Sequence, residues 1–216
     1  MSYCARRSNM LEYKEYGWKE ELNASHGYLL PVLRSLLSKE KNRSILDVGC
    51  GSGFIANQLI AEGFSVYGTD ASREGVELAQ QKNPGRFFVQ DIASKELPAE
   101  LKNIAFDTII STEVVEHLYD PRGYIAFCRE ILMKNGGGEI ILSTPYHGYL
   151  KNLVMALTGT LDNHFTVLWD GGHIKFWSRK TLTALLEEAG FKVTAFRGAG
   201  RCPYLWKSMF LKGEIR

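Results

Sequence analysis

Residues 44–53 read Ser-Ile-Leu-Asp-Val-Gly-Cys-Gly-Ser-Gly, a short apolar run followed by three glycines at alternate positions. The run Ser44–Val48 is typical of a buried strand, and the pattern from Phe54 to Glu62 predicts a helix. Glycines at such a junction let the chain turn sharply and approach a ligand closely, although a plain tight turn fits them equally well. Asp47 places a carboxylate just before the turn, which would repel a pyrophosphate and attract a cationic or amino-acid ligand.

Strand and helix patterns alternate along the rest of the chain. We expect further strands near residues 65–69, 86–89, 106–111, 138–143, 191–196 and 205–211, and further helices near residues 29–37, 74–81, 123–133 and 181–189. The last two strands are predicted to form a hairpin through residues 198–200. This alternation predicts an α/β fold with a mostly parallel sheet and helices on both faces. We expect one domain over residues 1–216, with an N-terminal helical segment at 1–42.

Composition excludes several classes of protein. The 216 residues are 45% hydrophobic and carry a net charge of +2, which excludes a disordered chain, a collagen-like repeat and a disulfide miniprotein. An isoelectric point near 8.3 with mixed charges argues against a nucleic-acid partner. The four cysteines lie far apart, and no apolar run follows the first residues or approaches bilayer-spanning length. We expect a reduced, cytoplasmic monomer or homodimer without membrane insertion.

Two acids follow the glycine loop at the ends of the next two predicted strands. Asp70 ends the second strand, where doubly wound folds hold a ribose. Asp91 ends the third, where it would accept a hydrogen bond from an adenine amino group while Ile92 packs on the ring. Taken alone, Asp70 also suits the cap of the next helix. Together with Asp47, these acids end three successive parallel strands and therefore line one crevice, which predicts a shared ligand.

This constellation over residues 43–196 resembles the class I S-adenosylmethionine-dependent methyltransferases. The resemblance implies a three-layer Rossmann-like fold with a seven-stranded sheet of order 3-2-1-4-5-7-6, in which strand seven is antiparallel. It implies S-adenosylmethionine (SAM) as cofactor and S-adenosylhomocysteine (SAH) as product, with the glycines at the methionine part, Asp70 at the ribose and Asp91 at adenine. The residues that it places at the cofactor are Asp47, Gly49, Gly51, Asp70, Ala71, Asp91, Ile92 and Thr112.

Residues 111–118, after the fourth predicted strand, read Ser-Thr-Glu-Val-Val-Glu-His-Leu. On a helix, Glu113, Glu116 and His117 would share one face, where they would hold a divalent cation or His117 would act as a base. A structural role, with Glu113 capping the turn and His117 packed under the sheet, fits the same pattern. The run is similar to the Ser-Glu-Val-x-Glu-His stretch of ubiquinone-biosynthesis O-methyltransferases, with Thr112 in place of Ser. That similarity implies three metal ligands beside the acceptor, and oxygen ligands suggest a weak Mg²⁺ site.

Residues 146–177 interrupt the alternation and are rich in histidine and aromatic residues. An insertion of this length is typical of a lid or binding element, although its aromatic residues also suit an ordinary lid core. We expect it to close over the acceptor, with Tyr13, Tyr16 and Trp18 forming the opposite wall. His147, His164 and His173, the last of them near the start of the last predicted helix, are candidate bases besides His117.

These features favour a methyltransferase acting on a small-molecule acceptor, with O-methylation of a phenol, catechol or similar hydroxyl or carboxylate compound as the first hypothesis. The Asn/Asp-Pro-Pro-aromatic motif of adenine and glutamine methyltransferases is absent after the fourth predicted strand. An RNA or protein methyltransferase and a non-catalytic SAM-binding domain remain the alternatives.

Overall fold

The computed structural model describes residues 26–165, residue 168 and residues 172–215. In this part of the chain the helices are α1 (His26–Leu36), α2 (Phe54–Ala61), α3 (Arg73–Lys82), α4 (Pro121–Met133), α5 (Tyr149–Thr158), α6 (Leu161–Phe165) and α7 (Arg179–Glu188). The strands are β1 (Ile45–Val48), β2 (Val66–Asp70), β3 (Phe87–Val89), β4 (Thr108–Thr112), β5 (Gly138–Pro145), β6 (Lys192–Ala199) and β7 (Ser208–Ile215). None of these helices is both long and apolar enough to cross a bilayer.

The strands form one sheet of order β3-β2-β1-β4-β5-β7-β6. Neighbouring strands from β3 to β5 are parallel, and β7 runs antiparallel to both β5 and β6. The predicted strand order and the antiparallel seventh strand are therefore confirmed. This topology brings the carboxyl ends of the first five strands to one edge of the sheet, where α/β folds bind their ligands.

Alternating side chains of the central strands build two cores, one on each face of the sheet. On one face, Leu46, Ile109 and Ile140 pack with the buried residues of α4 and α7. On the other face, Ile110 and Ile141 pack with α1, α2 and α3. Each is the next residue along its strand, β4 or β5. Because both faces are covered, the central strands read as nearly continuous apolar runs.

The structure corrects several predicted boundaries. The fifth strand, predicted to end at Ser143, runs on to Pro145, because its pairing with β7 continues to Ser208. The final hairpin turns over residues 200–207 rather than through residues 198–200, because β6 continues to Ala199. Residues 146–177 contain two helices, α5 and α6, that the alternation pattern did not predict.

A buried polar network joins the strands at the edge opposite the ligand-binding edge. The Asn42 side chain donates to Thr108 Oγ1 (2.7 Å) and to Glu139 Oε1 (2.8 Å). Glu139 is also ion-paired with Lys212, whose Nζ donates to the carbonyl of Leu36 at 3.2 Å. The network therefore links β4, β5, the antiparallel β7 and the end of α1.

We predict that Lys212→Met destabilises the fold by about 3 kcal/mol, because it leaves the Glu139 carboxylate buried without its countercharge. Adding Glu139→Gln to this variant should restore most of the loss, since the uncompensated charge is then removed while Asn42 keeps an acceptor. Chemical denaturation of the single and double variants measures both effects, with the exposed Lys134→Met as control. A double variant no more stable than Lys212→Met would contradict the role of the ion pair.

Candidate active site

The glycine loop between β1 and α2 is held in a conformation that requires glycine. Gly49 has φ +80°, and a Cβ atom there would lie 2.4 Å from Cγ2 of Val114, in the turn after β4. Gly51 and Gly53 also have positive φ values, +53° and +68°. The amide of Gly49 donates to the Thr69 carbonyl at 2.7 Å. The loop is therefore fixed against the end of β2 and against the acceptor-side turn.

Asp70, the last residue of β2, organises the backbone around the crevice. Its Oδ2 accepts a hydrogen bond from the Gly51 amide (2.7 Å), and its Oδ1 accepts one from the Ser72 amide (2.8 Å). The cap of α3 is Ser72, whose hydroxyl oxygen accepts from the Gly75 amide. The alternative interpretation of Asp70 as the helix cap is therefore wrong. Ala71, between the two, is partly buried at the same edge.

Asp47 lies in β1, one residue before its end, as predicted, and it is 1% exposed. Its Oδ1 has no hydrogen-bond partner among the described residues. Burial, followed by the nearby carboxylate of Asp70, raises the pKa of Asp47 to about 8. A buried carboxyl group without a partner is costly unless a positive group or a donor reaches it.

The outer part of the predicted crevice lies at the end of β3. Asp91 is exposed, and its Oδ1 accepts from the Ala93 amide at 2.8 Å, which caps a single 3₁₀ turn at Ile92–Ser94. Ile92 is partly buried against the core. The amide of Gln90 donates to the Asp70 carbonyl at 2.8 Å, which places the end of β3 beside that of β2.

The predicted helix after β4 does not form, so the prediction that Glu113, Glu116 and His117 share one helix face is wrong. Thr112 ends β4, Glu113 takes the left-handed φ of +56°, and only a 3₁₀ turn follows at Val115–His117. The Glu113 carboxylate therefore does not share a helix face with Glu116 and His117, although it still acts electrostatically on Glu116. Its two oxygens accept from the hydroxyls of Ser143 (2.7 Å) and Ser208 (3.0 Å), on β5 and β7. Burial raises the pKa of Glu113 to about 7, and these hydroxyls and Lys151 oppose the shift.

The structure brings His173 into the group in place of Glu113. One potential ligand atom from each of Glu116, His117 and His173 lies within 4.8 Å of the others. Glu116 is fully buried, and neither of its carboxylate oxygens has a hydrogen-bond partner among the described residues. Burial, with a further contribution from Glu113, raises its pKa well above the usual range, and its own backbone and the nearby Thr144 hydroxyl oppose the shift. One carboxylate and two imidazoles suit a divalent transition metal better than Mg²⁺, so the physical basis for the predicted Mg²⁺ site is lost.

Backbone contacts hold this group together across a long sequence separation. The amides of Ile174 and Lys175 donate to the carbonyl of Glu116, at 2.9 and 3.0 Å. Nδ1 of His117 lies 3.3 Å from the Gly172 carbonyl, which favours a proton on Nδ1 and a lone pair on Nε2. Burial, then the neighbouring histidines, lowers the pKa of His173 to about 4. His173 is therefore neutral near pH 7, as metal ligation and proton acceptance each require.

Residues of the 146–177 segment and of α1 surround the same space. The ring centroids of His147 and His164 are 4.9 Å apart, and Phe176 meets His147 edge-on at 5.1 Å. Tyr28 of α1 interacts with Ser208, and the electrostatic influence of Glu113 and Glu116 reaches it. The predicted wall of Tyr13, Tyr16 and Trp18 lies outside the described residues.

Sequence reasoning missed four residues of this site: Tyr28, Ser143, Lys151 and Ser208. In the antiparallel β5–β7 register, Ser143 pairs with Phe210 and Ser208 pairs with Pro145, so the two serines lie two positions apart on neighbouring strands. Nothing local in the sequence marks that pairing. Lys151 is buried on a helix whose other residues include exposed leucines, which reverses the usual amphipathic pattern.

Known structures share the fold. Magnesium protoporphyrin IX methyltransferase from Synechocystis, solved with bound SAH, superposes with a TM-score of 0.63 at 22% identity, covering 87% of this chain and 82% of that one. A SAM-dependent methyltransferase from Archaeoglobus fulgidus superposes with a TM-score of 0.65 at 18% identity, covering 86% and 92%. At these identities, the likeness shows the fold.

Sequence comparisons identify the family. Ubiquinone biosynthesis O-methyltransferase of Dinoroseobacter shibae is 32% identical over 165 residues, which cover 73% of this chain but only 63% of that protein, less than two thirds. An uncharacterised methyltransferase of Bacillus cereus is 27% identical over 169 residues, 77% of each chain. The family model of the methyltransferase domain matches residues 21–195. The fold, the glycine loop with its strand-end acids and this match together show that the chain belongs to the methyltransferase domain family.

Proposed function

We propose that this protein transfers a methyl group from SAM to a hydroxyl oxygen of a small acceptor, such as a phenol or a catechol. The observation that carries the proposal is the position of the Glu116–His117–His173 group beside the glycine-loop crevice. Val114, two residues before Glu116, packs against Gly49 of the loop. Membership in the methyltransferase domain family and the named O-methyltransferase relative support it.

The crevice residues fit SAM. The positive φ values of Gly49 and Gly51 turn the backbone sharply at the crevice, where we propose that the methionine part binds, and the partnerless Oδ1 of Asp47 would meet its positively charged amino group. A carboxylate accepts about four hydrogen bonds, so Asp70 can hold ribose hydroxyls in addition to the two backbone amides that it already binds. Asp91 and Ile92, at the rim, are proposed to contact adenine. Bound there, SAM supplies a methyl group on a sulfonium, which is activated for transfer.

The protein's contribution to such a transfer is alignment and proton handling. Methyl transfer from a sulfonium is an in-line displacement, so the chain must position the acceptor oxygen and exclude water. We propose that Thr112 borders the transferred methyl and that the buried residues of α5 cover the acceptor. His173 is neutral near pH 7, and we propose that His173 or the neighbouring His117 accepts the proton of the acceptor. They therefore remain the proposed catalytic residues.

The same group is proposed to hold a divalent cation. Glu116 is a buried carboxylate without hydrogen-bond donors among the described residues, and a cation between it and the two imidazoles would compensate its charge. When bound, such a cation would lower the pKa of an acceptor hydroxyl. His117 donating from Nδ1 to a backbone carbonyl matches the usual orientation of a metal-binding histidine.

Assaying labelled SAM against a panel of phenols, catechols and hydroxy acids tests the function. We expect an oxygen-linked methyl product with at least one class, identified by mass spectrometry, and SAH formation that depends on the acceptor. SAM binding without transfer to any acceptor would favour the non-catalytic alternative. Transfer only to RNA, with binding that weakens steeply as salt rises, would favour a nucleic-acid methyltransferase.

Asp47→Asn is predicted to change the pH dependence of stability. Since the folded-state pKa of Asp47 is about 8, above that of an unfolded aspartate, the folded protein holds a proton that the unfolded chain releases. Wild-type stability must therefore fall as pH rises within this window. Relative to Asp47→Asn, the ligand-free wild type should lose about 1–3 kcal/mol between pH 5 and pH 7.

Urea denaturation of both proteins across this pH range measures the difference. Asp91→Asn, which removes an exposed acid at the same edge, serves as the control. A wild-type curve parallel to that of Asp47→Asn at all pH values would show that Asp47 is charged in the folded protein.

Removing divalent metals is predicted to lower the rate of methyl transfer by about 10- to 100-fold, because the acceptor loses its cation. Mn²⁺ or Zn²⁺ should restore the rate of EDTA-treated protein better than Mg²⁺, and Glu116→Gln should abolish the restoration. Metal analysis of the purified protein gives an independent measurement. An unchanged rate in EDTA would exclude the cation, and the pH–rate profiles of His117→Ala and His173→Ala would then identify the base.

A further inference from the structure

We propose that Lys151, His147 and His164 form an acceptor chamber beneath α5, and that their ammonium and imidazole groups bind the carboxylate of an acidic acceptor. This inference rests on the proposed function, since it takes the chamber to be the acceptor side of a SAM crevice. It narrows the substrate class to hydroxylated carboxylic acids.

Lys151 is a buried cation with unused hydrogen-bonding capacity. Its side chain lies in the first turn of α5 and is 8% exposed. Nζ makes one hydrogen bond within the described part of the chain, to the Lys207 carbonyl at 3.4 Å, which is long for such a bond. An ammonium has three donors, so most of its capacity is unfilled. A lysine in this state is costly unless an anion joins it.

Two imidazoles beside Lys151 are also unsatisfied. Nε2 of His147 and Nε2 of His164 are both buried without a hydrogen-bond partner among the described residues. Burial, followed by neighbouring positive groups that include Lys151, lowers the pKa of each to about 4. Both rings are therefore neutral near pH 7, and each can present an N–H to an acceptor oxygen. The ring centroids are 4.9 Å apart, close enough to serve one carboxylate.

The surrounding charges indicate an anion rather than a metal ion. The Lys151 ammonium is not a metal ligand and repels a cation, which separates this chamber from the Glu116–His117–His173 group. Lys207 adds a second positive charge that acts on Lys151. The uncapped amides at the start of α5 contribute in the same direction, because a helix N-terminus attracts negative charge.

The neighbouring acids limit the anion to a single charge. Glu113 acts electrostatically on Lys151, yet the two make no ion pair within 4.0 Å. Its carboxylate is instead held by Ser143 and Ser208. A space between a held carboxyl and a buried ammonium suits a monoanionic carboxylate, whereas the second charge of a dianionic phosphate would meet repulsion from Glu113, whose pKa of about 7 leaves it partly charged at neutral pH.

A matched pair of probes tests the proposal. 3,4-Dihydroxybenzoate and the neutral 3,4-dihydroxybenzamide have similar size and the same two hydroxyls, so they differ in the charge offered to Lys151. In the presence of saturating SAH, calorimetry of the wild type should show the acid binding at least about tenfold more tightly than the amide. Lys151→Met should remove this preference by weakening only the acid, and Lys151→Arg should retain part of it. SAH affinity checks that each variant is folded, and Lys134→Met is the matched control.

Equal affinity of the wild type for acid and amide, or equal weakening of both by Lys151→Met, would overturn the inference. Failure of the acid to bind at millimolar concentration would also overturn it. The methyl-transfer assay separates this result from the proposed function. A preference for the acid without methyl transfer supports the anion site and contradicts the proposed O-methylation. Methyl transfer to neutral catechols without any preference for the acid supports the proposed O-methylation and excludes the anion site.

Discussion

Burial of carboxyl groups at the carboxyl ends of parallel strands is the constraint on which the site depends. Asp47, Glu113 and Glu116 are all withdrawn from water near this edge, and burial raises the pKa of each. Only Glu113 has its oxygens hydrogen-bonded by neighbouring hydroxyls. A fold that keeps such groups carries a free-energy cost, and ligands that bring positive charge or donors offset it. The stability of this edge is therefore coupled to what binds there.

The cofactor and acceptor halves of the site are joined by direct contact. Val114 packs where a side chain at Gly49 would lie, so the turn after β4 and the glycine loop occupy mutually dependent positions. The left-handed backbone of Glu113 makes this turn possible, and non-glycine residues adopt that conformation only when their surroundings compensate its cost. The hydroxyls of Ser143 and Ser208 supply that compensation by holding the carboxylate. The antiparallel β7 thus has a direct part in the site, because it contributes Ser208.

The segment between β5 and α7 places its polar groups inward. Lys151 and Met155 are buried on α5, whereas Tyr149, Leu153 and Leu157 on the same helix are exposed. This is the reverse of an ordinary surface helix, which buries its apolar face. Core packing does not explain this orientation, whereas a ligand bound to the inner face of α5 would explain it. The orientation therefore supports the proposal that α5 covers the acceptor.

The sequence by itself determined the α/β class, the strand order implied by the family resemblance, the glycine loop and the acids at the ends of β1, β2 and β3. These depend on local signals: apolar runs, glycine spacing and acids at fixed offsets from strands. The tertiary structure decided which side chains meet at the acceptor side. Glu113 does not belong to the group as predicted, because its positive φ ends the strand in a turn instead of a helix. His173 belongs to the group because the amides of the next two residues donate to the carbonyl of Glu116. Lys151 became part of the site only through burial under the sheet edge. Such contacts join residues far apart in the chain, so no local pattern in the sequence records them.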